Sequence, residues 1–169
     1  MSGYDITPLR VLAVLAVYAV LLGLIWLLFR PRIERYELRT ALAIAGVWAV
    51  SVFIANYLLY RAGAMSYLPW VNNFMHTFIW IGICLTLLYF GVRETAPMWQ
   101  QFLLFFAFSL VVKYAEHWLF GTWDHDNFFG IEGNFTYILG WSLADGTYPL
   151  LTRFVLRRAS RGIPGLVTT

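Results

Sequence analysis

Residues 11–29 form an uninterrupted apolar run without one charged side chain. A helix needs about 20 such residues to cross the hydrocarbon core of a bilayer. Residues 41–60 form a second run, and 73–92 a third, broken only by His76 near its start. Residues 99–120 form a fourth, carrying Lys113, Glu116 and His117 toward its end, and 135–156 a fifth, holding Asp145, Gly146, Pro149 and Arg153. The pattern predicts an all-α polytopic membrane protein, five transmembrane helices in one domain over residues 1–169. Composition excludes the alternatives. Only 12% of residues are charged and 60% are hydrophobic, against about 25% and 45–50% in soluble domains, too few charges to coat a water-facing globule. The net charge of +3 comes from scattered arginines, which argues against nucleic acid. A lone cysteine, Cys84, permits neither an internal disulfide nor a Cys-rich metal site.

The arginines set an expected direction. Arg30, Arg32, Arg35 and Arg39 lie between spans 1 and 2, Arg93 between spans 3 and 4, and Arg153, Arg157, Arg158 and Arg161 at the end of span 5. The opposite loops hold only Arg10 and Arg61. The positive-inside rule puts the N-terminus in the periplasm or lumen and the C-terminus in the cytoplasm. Span 1 makes a poor signal peptide, because no basic segment precedes it and arginines follow it. Thr95 and Pro97 read as the cap and first turn of span 4. Trp70, Trp99, Trp118, Trp123 and Trp141 fall near predicted interfaces, where indole keeps its N–H wet.

With that direction, the ionisable residues gather in the outer half. His76 lies in the first turn of span 3. Lys113, Glu116 and His117, at i, i+3 and i+4, share one face of span 4. Asp145 lies about 15 Å into span 5 at 1.5 Å per residue, and Pro149 should kink that span where the Asp145 carbonyl loses its partner. The outer loop adds Asp124, His125, Asp126 and Glu132. Ionisable groups inside a bilayer cost several kcal/mol unless they face a cavity or a partner, so these residues are candidates for function. The plain structural role is a Lys113 pair with Asp145 or Glu116 that holds two helices together.

Two chemistries fit this set. The first is proton transfer to an apolar, olefinic substrate by an isomerase or cyclase, with no cofactor. Glu116, Asp145 and His76 would exchange protons, Lys113 would tune a neighbouring acid, and Phe74, Trp80, Tyr114, Trp118 and Trp141 would line the pocket, aromatic faces attracting the carbocation. The second is a metal or haem site in a small subunit of a membrane redox complex. His76, His117 and His125 with Asp124 or Asp126 offer nitrogen and oxygen donors for copper, zinc or iron, and two histidines could ligate haem. The expected partners are membrane lipids, a lipophilic small molecule, and a second copy or a larger membrane complex.

Tyr114-Ala115-Glu116 through Phe120, the polar glycine-containing loop after it, the late Pro149 and Met75-His76-Thr77 together carry a resemblance. Over roughly residues 41–156 the chain resembles the EXPERA domain of the emopamil-binding family, the membrane sterol isomerases and their relatives. Tyr114-Ala115-Glu116 stands where the family carries Tyr-Gly-Asp, and His76 where the isomerases carry an acid before threonine. The first core helix departs from the pattern, offering only Asn56 where the isomerases have a histidine and a glutamate, and Asp145 stands near their last-helix asparagine and tryptophan. The resemblance implies four core helices after an additional first span, and isomerisation or cyclisation of an isoprenoid or sterol-like lipid. Non-catalytic binding of a lipophilic ligand also occurs in the wider family.

Overall fold

The computed structural model describes residues 7–33, 38–64, 73–120 and 134–162. They form α1 (Pro8–Ile33), α2 (Leu38–Arg61), a π-helical segment (Met75–Leu85) running directly into α3 (Thr86–Val92), α4 (Met98–Phe120), α5 (Asn134–Gly146) and α6 (Tyr148–Gly162). Among the described residues there are no strands. Val11–Ile33, Arg39–Arg61, Met75–Val92 and Met98–His117 are each long and apolar enough to cross a membrane.

The ends of these helices follow from their sequences. Arg30 and Arg32 close α1, complementing the negative end of its dipole. Past α2, Gly63 takes φ 72° and lets Ala64 N–H donate to Leu59 O at 3.0 Å, satisfying a terminal carbonyl. Pro97 supplies the carbonyl to which the Gln100 and Gln101 amides donate as α4 begins. The Gln101 side chain donates to Arg93 O at 3.1 Å and Ala96 O at 2.7 Å, stitching the turn. Thr95 does not cap α4. Its hydroxyl turns back to Val92 O at 3.0 Å and closes α3 instead.

The π segment and α3 form the axis of the bundle. They are the most enclosed of the four candidate spans, with α2 packed along the π segment, α1 along α3, and α5 along α4. The core is correspondingly aromatic, built around Trp80, Phe90, Phe105 and Tyr148. Arg32 donates to Gly91 O at 3.3 Å, so α1 and α3 end together. Arg93, Arg153 and Arg157 lie close enough to Tyr89 to interact with it electrostatically. One end of the bundle is therefore arginine-rich.

The fifth helix differs from expectation. Instead of one kinked span over 135–156, the chain forms two helices of 13 and 15 residues separated by Thr147, each shorter than the about 20 residues that span a bilayer. Pro149 lies in the first turn of α6, where a missing N–H removes no helical bond. Thr147 N–H tightens the end of α5 by donating to Ala144 O at 3.0 Å. The break thus falls two residues beyond Asp145. Hydrogen bonds hold α6 against its neighbours: Trp48 Nε1 donates to Thr152 Oγ1 at 3.0 Å, and the Tyr148 and Thr86 hydroxyls are bonded at 2.5 Å.

Two close approaches depend on glycine. A Cβ on Gly146 would stand 2.9 Å from Phe102, and one on Gly91 would stand 2.6 Å from Phe29. Overpacking of this kind costs about 1–3 kcal/mol. Gly91→Ala is expected to lower the thermal unfolding midpoint in detergent, whereas Gly23→Ala, with nothing within 4 Å, leaves it unchanged or raises it slightly.

Candidate functional site: a buried polar cluster

Four segments bring polar groups to one place inside the bundle. On α4, Ser109 and Lys113 are four residues apart and share a face. Lys113 Nζ donates to Ser109 Oγ at 2.8 Å and to Asp145 Oδ2 at 2.5 Å, while Ser109 Oγ donates to the same Oδ2 at 2.6 Å. From the π segment, Trp80 Nε1 donates to that oxygen as well, at 2.9 Å. Asp145 Oδ2 thus accepts three hydrogen bonds from two neighbouring segments. Lys113 and Asp145 are 1% and 4% exposed, a true buried ion pair.

The cluster extends to α1 and along α4. The Trp80 ring stacks with Tyr18 (6.2 Å, 25° between planes) and packs at a tilt against Phe108 (5.5 Å, 32°). Tyr18 is hydrogen-bonded in turn to Glu116, buried one turn beyond Lys113. His76 is buried on the π segment and couples electrostatically to Lys113 and Asp145. One ammonium, two carboxyl groups, an imidazole and a phenol therefore share one water-poor volume.

Of the residues expected from sequence, Glu116, Asp145, His76 and Lys113 converge, and Trp80 joins them. The other predicted lining residues are placed differently. Phe74 is 52% exposed and stacks on Phe78 at 4.6 Å; Tyr114 is 37% exposed and faces His117 and Phe135. Tyr114 follows Lys113 by one residue, a rotation of about 100° around the helix, which turns it outward. Trp141 is half-buried. Trp70, Trp123, His125, Asp124, Asp126 and Glu132 lie outside the described residues, as does the Trp118 side chain. Among the described residues no group of three or more His, Cys, Asp or Glu side chains is arranged to hold a metal ion.

The sequence reading missed Tyr18, Ser109 and Phe108 as parts of this cluster. Signals for two of them were present: Tyr18 is the polar exception in the first apolar run, and Ser109 sits four residues before Lys113. Phe108 had none. Among the described residues, fold and site together define an all-α protein with four helices long and apolar enough to cross a membrane and a Lys113–Asp145 ion pair buried in its core. No family model, curated protein or solved structure matches the chain.

Proposed function

We propose that the chain is an integral membrane isomerase or cyclase that moves a proton on an apolar isoprenoid or sterol-like olefin. The observation that carries this reading is the burial of Lys113, Asp145, Glu116, His76 and Tyr18 together beside Trp80, whose N–H is bonded to Asp145 and whose ring packs with Phe108. An unbalanced charge in such surroundings costs several kcal/mol, and one ammonium balances only one of the two carboxylates. A proton held on Glu116 restores neutrality, and that is the proton the site can give. Three bonds already converge on Oδ2 of Asp145, which leaves only Oδ1 open to a proton. With the Lys113 ammonium bonded to it, Asp145 serves in this reading as the anion that holds Lys113.

In this scheme Glu116 protonates one carbon of a double bond, and the positive charge develops on its neighbour. Aromatic faces steady that cation by about 0.5–2 kcal/mol each. His76 then takes a proton from an adjacent carbon, shifting the double bond or ending a ring closure, and returns it to Glu116. No proton is gained or lost overall. The resemblance to EXPERA proteins supports the lipid class. In the proposed topology the broken fifth helix also crosses the bilayer, the N-terminus is outside, and the cluster lies toward the periplasmic or lumenal side.

Native mass spectrometry of protein gently extracted from its own membrane tests this. A monomer or homodimer carrying an isoprenoid-sized adduct and no metal is the expected spectrum. A stoichiometric metal, a haem or large partner subunits would overturn it in favour of a redox complex.

A further inference from the structure

The cluster around Asp145 is not the only buried polar group in the bundle. Two helical turns before Trp80, Asn56 of α2 and Asn73, at the entry to the π segment, face each other. Asn56 Nδ2 donates to Asn73 Oδ1 at 2.6 Å, and each residue is 5% exposed. Thr77 Oγ1 anchors the same turn by donating to Asn73 O at 2.7 Å. One amide–amide bond engages only one amino group and one carbonyl oxygen of the two amides. Asn56 Oδ1 and Asn73 Nδ2 are buried and have no hydrogen-bond partner among the described residues. What is left wholly unbonded is one acceptor group and one donor group, one on each side chain of the pair. Exchanging oxygen and nitrogen in both side chains leaves the same complement, so the result does not depend on how the amides are turned.

Leaving a buried amide group unsatisfied is costly, and the partner that satisfies both at once is a group that donates one hydrogen bond and accepts another. A hydroxyl does this with a single atom. We propose that Asn56 and Asn73 bind the hydroxyl of a lipid alcohol, which gives its proton to one amide oxygen and takes a bond from the other amide's N–H. The surroundings suit a lipid. Phe74 and Phe78 are stacked at 4.6 Å, Phe53 meets Phe78 edge-on at 6.0 Å, and Phe74 reaches the bundle's exterior.

This inference rests on the proposed function and narrows its substrate. Asn73 and Trp80 are seven residues apart, about 10 Å at the α-helical rise and somewhat less in the wider π coil. A ligand anchored by its hydroxyl at the amide pair would bring a carbon–carbon double bond roughly that distance away to the acid cluster. His76 lies between the two. The substrate class is thus an isoprenoid or sterol-like alcohol, not a hydrocarbon or an ester whose oxygen cannot donate.

The test is equilibrium binding of farnesol, cholesterol and their methyl ethers to the full chain in nanodiscs, read by intrinsic tryptophan fluorescence. At least one alcohol is expected to bind about tenfold more tightly than its ether, the effect of about one added hydrogen bond. The preference should vanish in the double variant Asn56→Leu with Asn73→Leu, which removes both amides together and so leaves no orphan. Circular dichroism checks that this variant is folded, and Asn56→Ala with Asn73→Ala, which also removes both amides, provides a second reading of the same loss. Equal affinity of every alcohol and its ether, or a preference that survives in the double variant, overturns the proposal. Turnover separates it from the parent reading. Glu116-dependent catalysis without alcohol preference removes the amide site alone, and alcohol preference without Glu116-dependent catalysis removes the catalytic reading alone.

Discussion

Lys113→Met is expected to destabilise the protein by about 3–5 kcal/mol, the usual penalty for removing one partner of a buried ion pair. The lost attraction is the smaller part of this. Most of the penalty comes from the Asp145 carboxylate, left without its cation at 4% exposure. The double variant Lys113→Met with Asp145→Asn should regain most of the loss, because it removes both charges. It also keeps an amide oxygen for the Ser109 hydroxyl and the Trp80 N–H, which would otherwise be orphaned. Unfolding in mixed micelles measures all three chains. Equal losses in the single and double variants would mean that the pair contributes nothing specific to the union of α4 and α5.

Glu116→Gln is expected to behave in the opposite way. Glutamine keeps the size of the side chain and an oxygen for the Tyr18 hydroxyl, so the unfolding free energy should move by less than about 1 kcal/mol. Turnover of the lipid substrate should fall by about 10²–10⁴, the range that a positioned general acid contributes. Product formation in nanodiscs, followed by mass spectrometry on the lipid recovered from the native protein, reads this directly. Undiminished turnover in both Glu116→Gln and Asp145→Asn would remove acid–base chemistry from this site. The two experiments separate residues that hold the bundle from residues that act, although both lie in one cluster and Lys113 and Glu116 share one face of α4.

The sequence carried the helices and the charged centre well, for a physical reason. Apolar runs of membrane length and ionisable residues within them are both costly exceptions, so each stands out without any knowledge of contacts. The i, i+3 relation of Lys113 and Glu116 placed them on one face before their neighbours were known. The aromatic surroundings were less legible. Where one residue in five is aromatic, only angular position tells an inward ring from an outward one. Phe74 and Tyr114 have the same chemistry as Phe108 and Tyr18 but lie on exposed faces. The break at Thr147 was partly visible: Pro149 marked the place, but a kink and a complete interruption read alike in a string of residues. The π segment had no legible signal, since no residue type compels i→i+5 bonding.

That segment has a consequence of its own. Each i→i+5 ring encloses one residue more than an α-helical turn, and Met75–Leu85 stays in this wider coil for 11 residues. The chain therefore carries surplus length between Asn73 and Thr86. Loss of a single residue there can be absorbed by one turn returning to α-helical bonding, because the wider ring already holds the extra residue. The helix on either side then keeps its angular register, whereas the same deletion in an ordinary α-helix would turn one half against the other by about 100°. Asn73 would stay aimed as it is while the arginine end stayed in place. Descendants of this chain that are one residue shorter in this stretch would inherit the same scaffold with its two polar centres still facing as they do here, so that the wide coil acts as slack that shields the interior from changes in length.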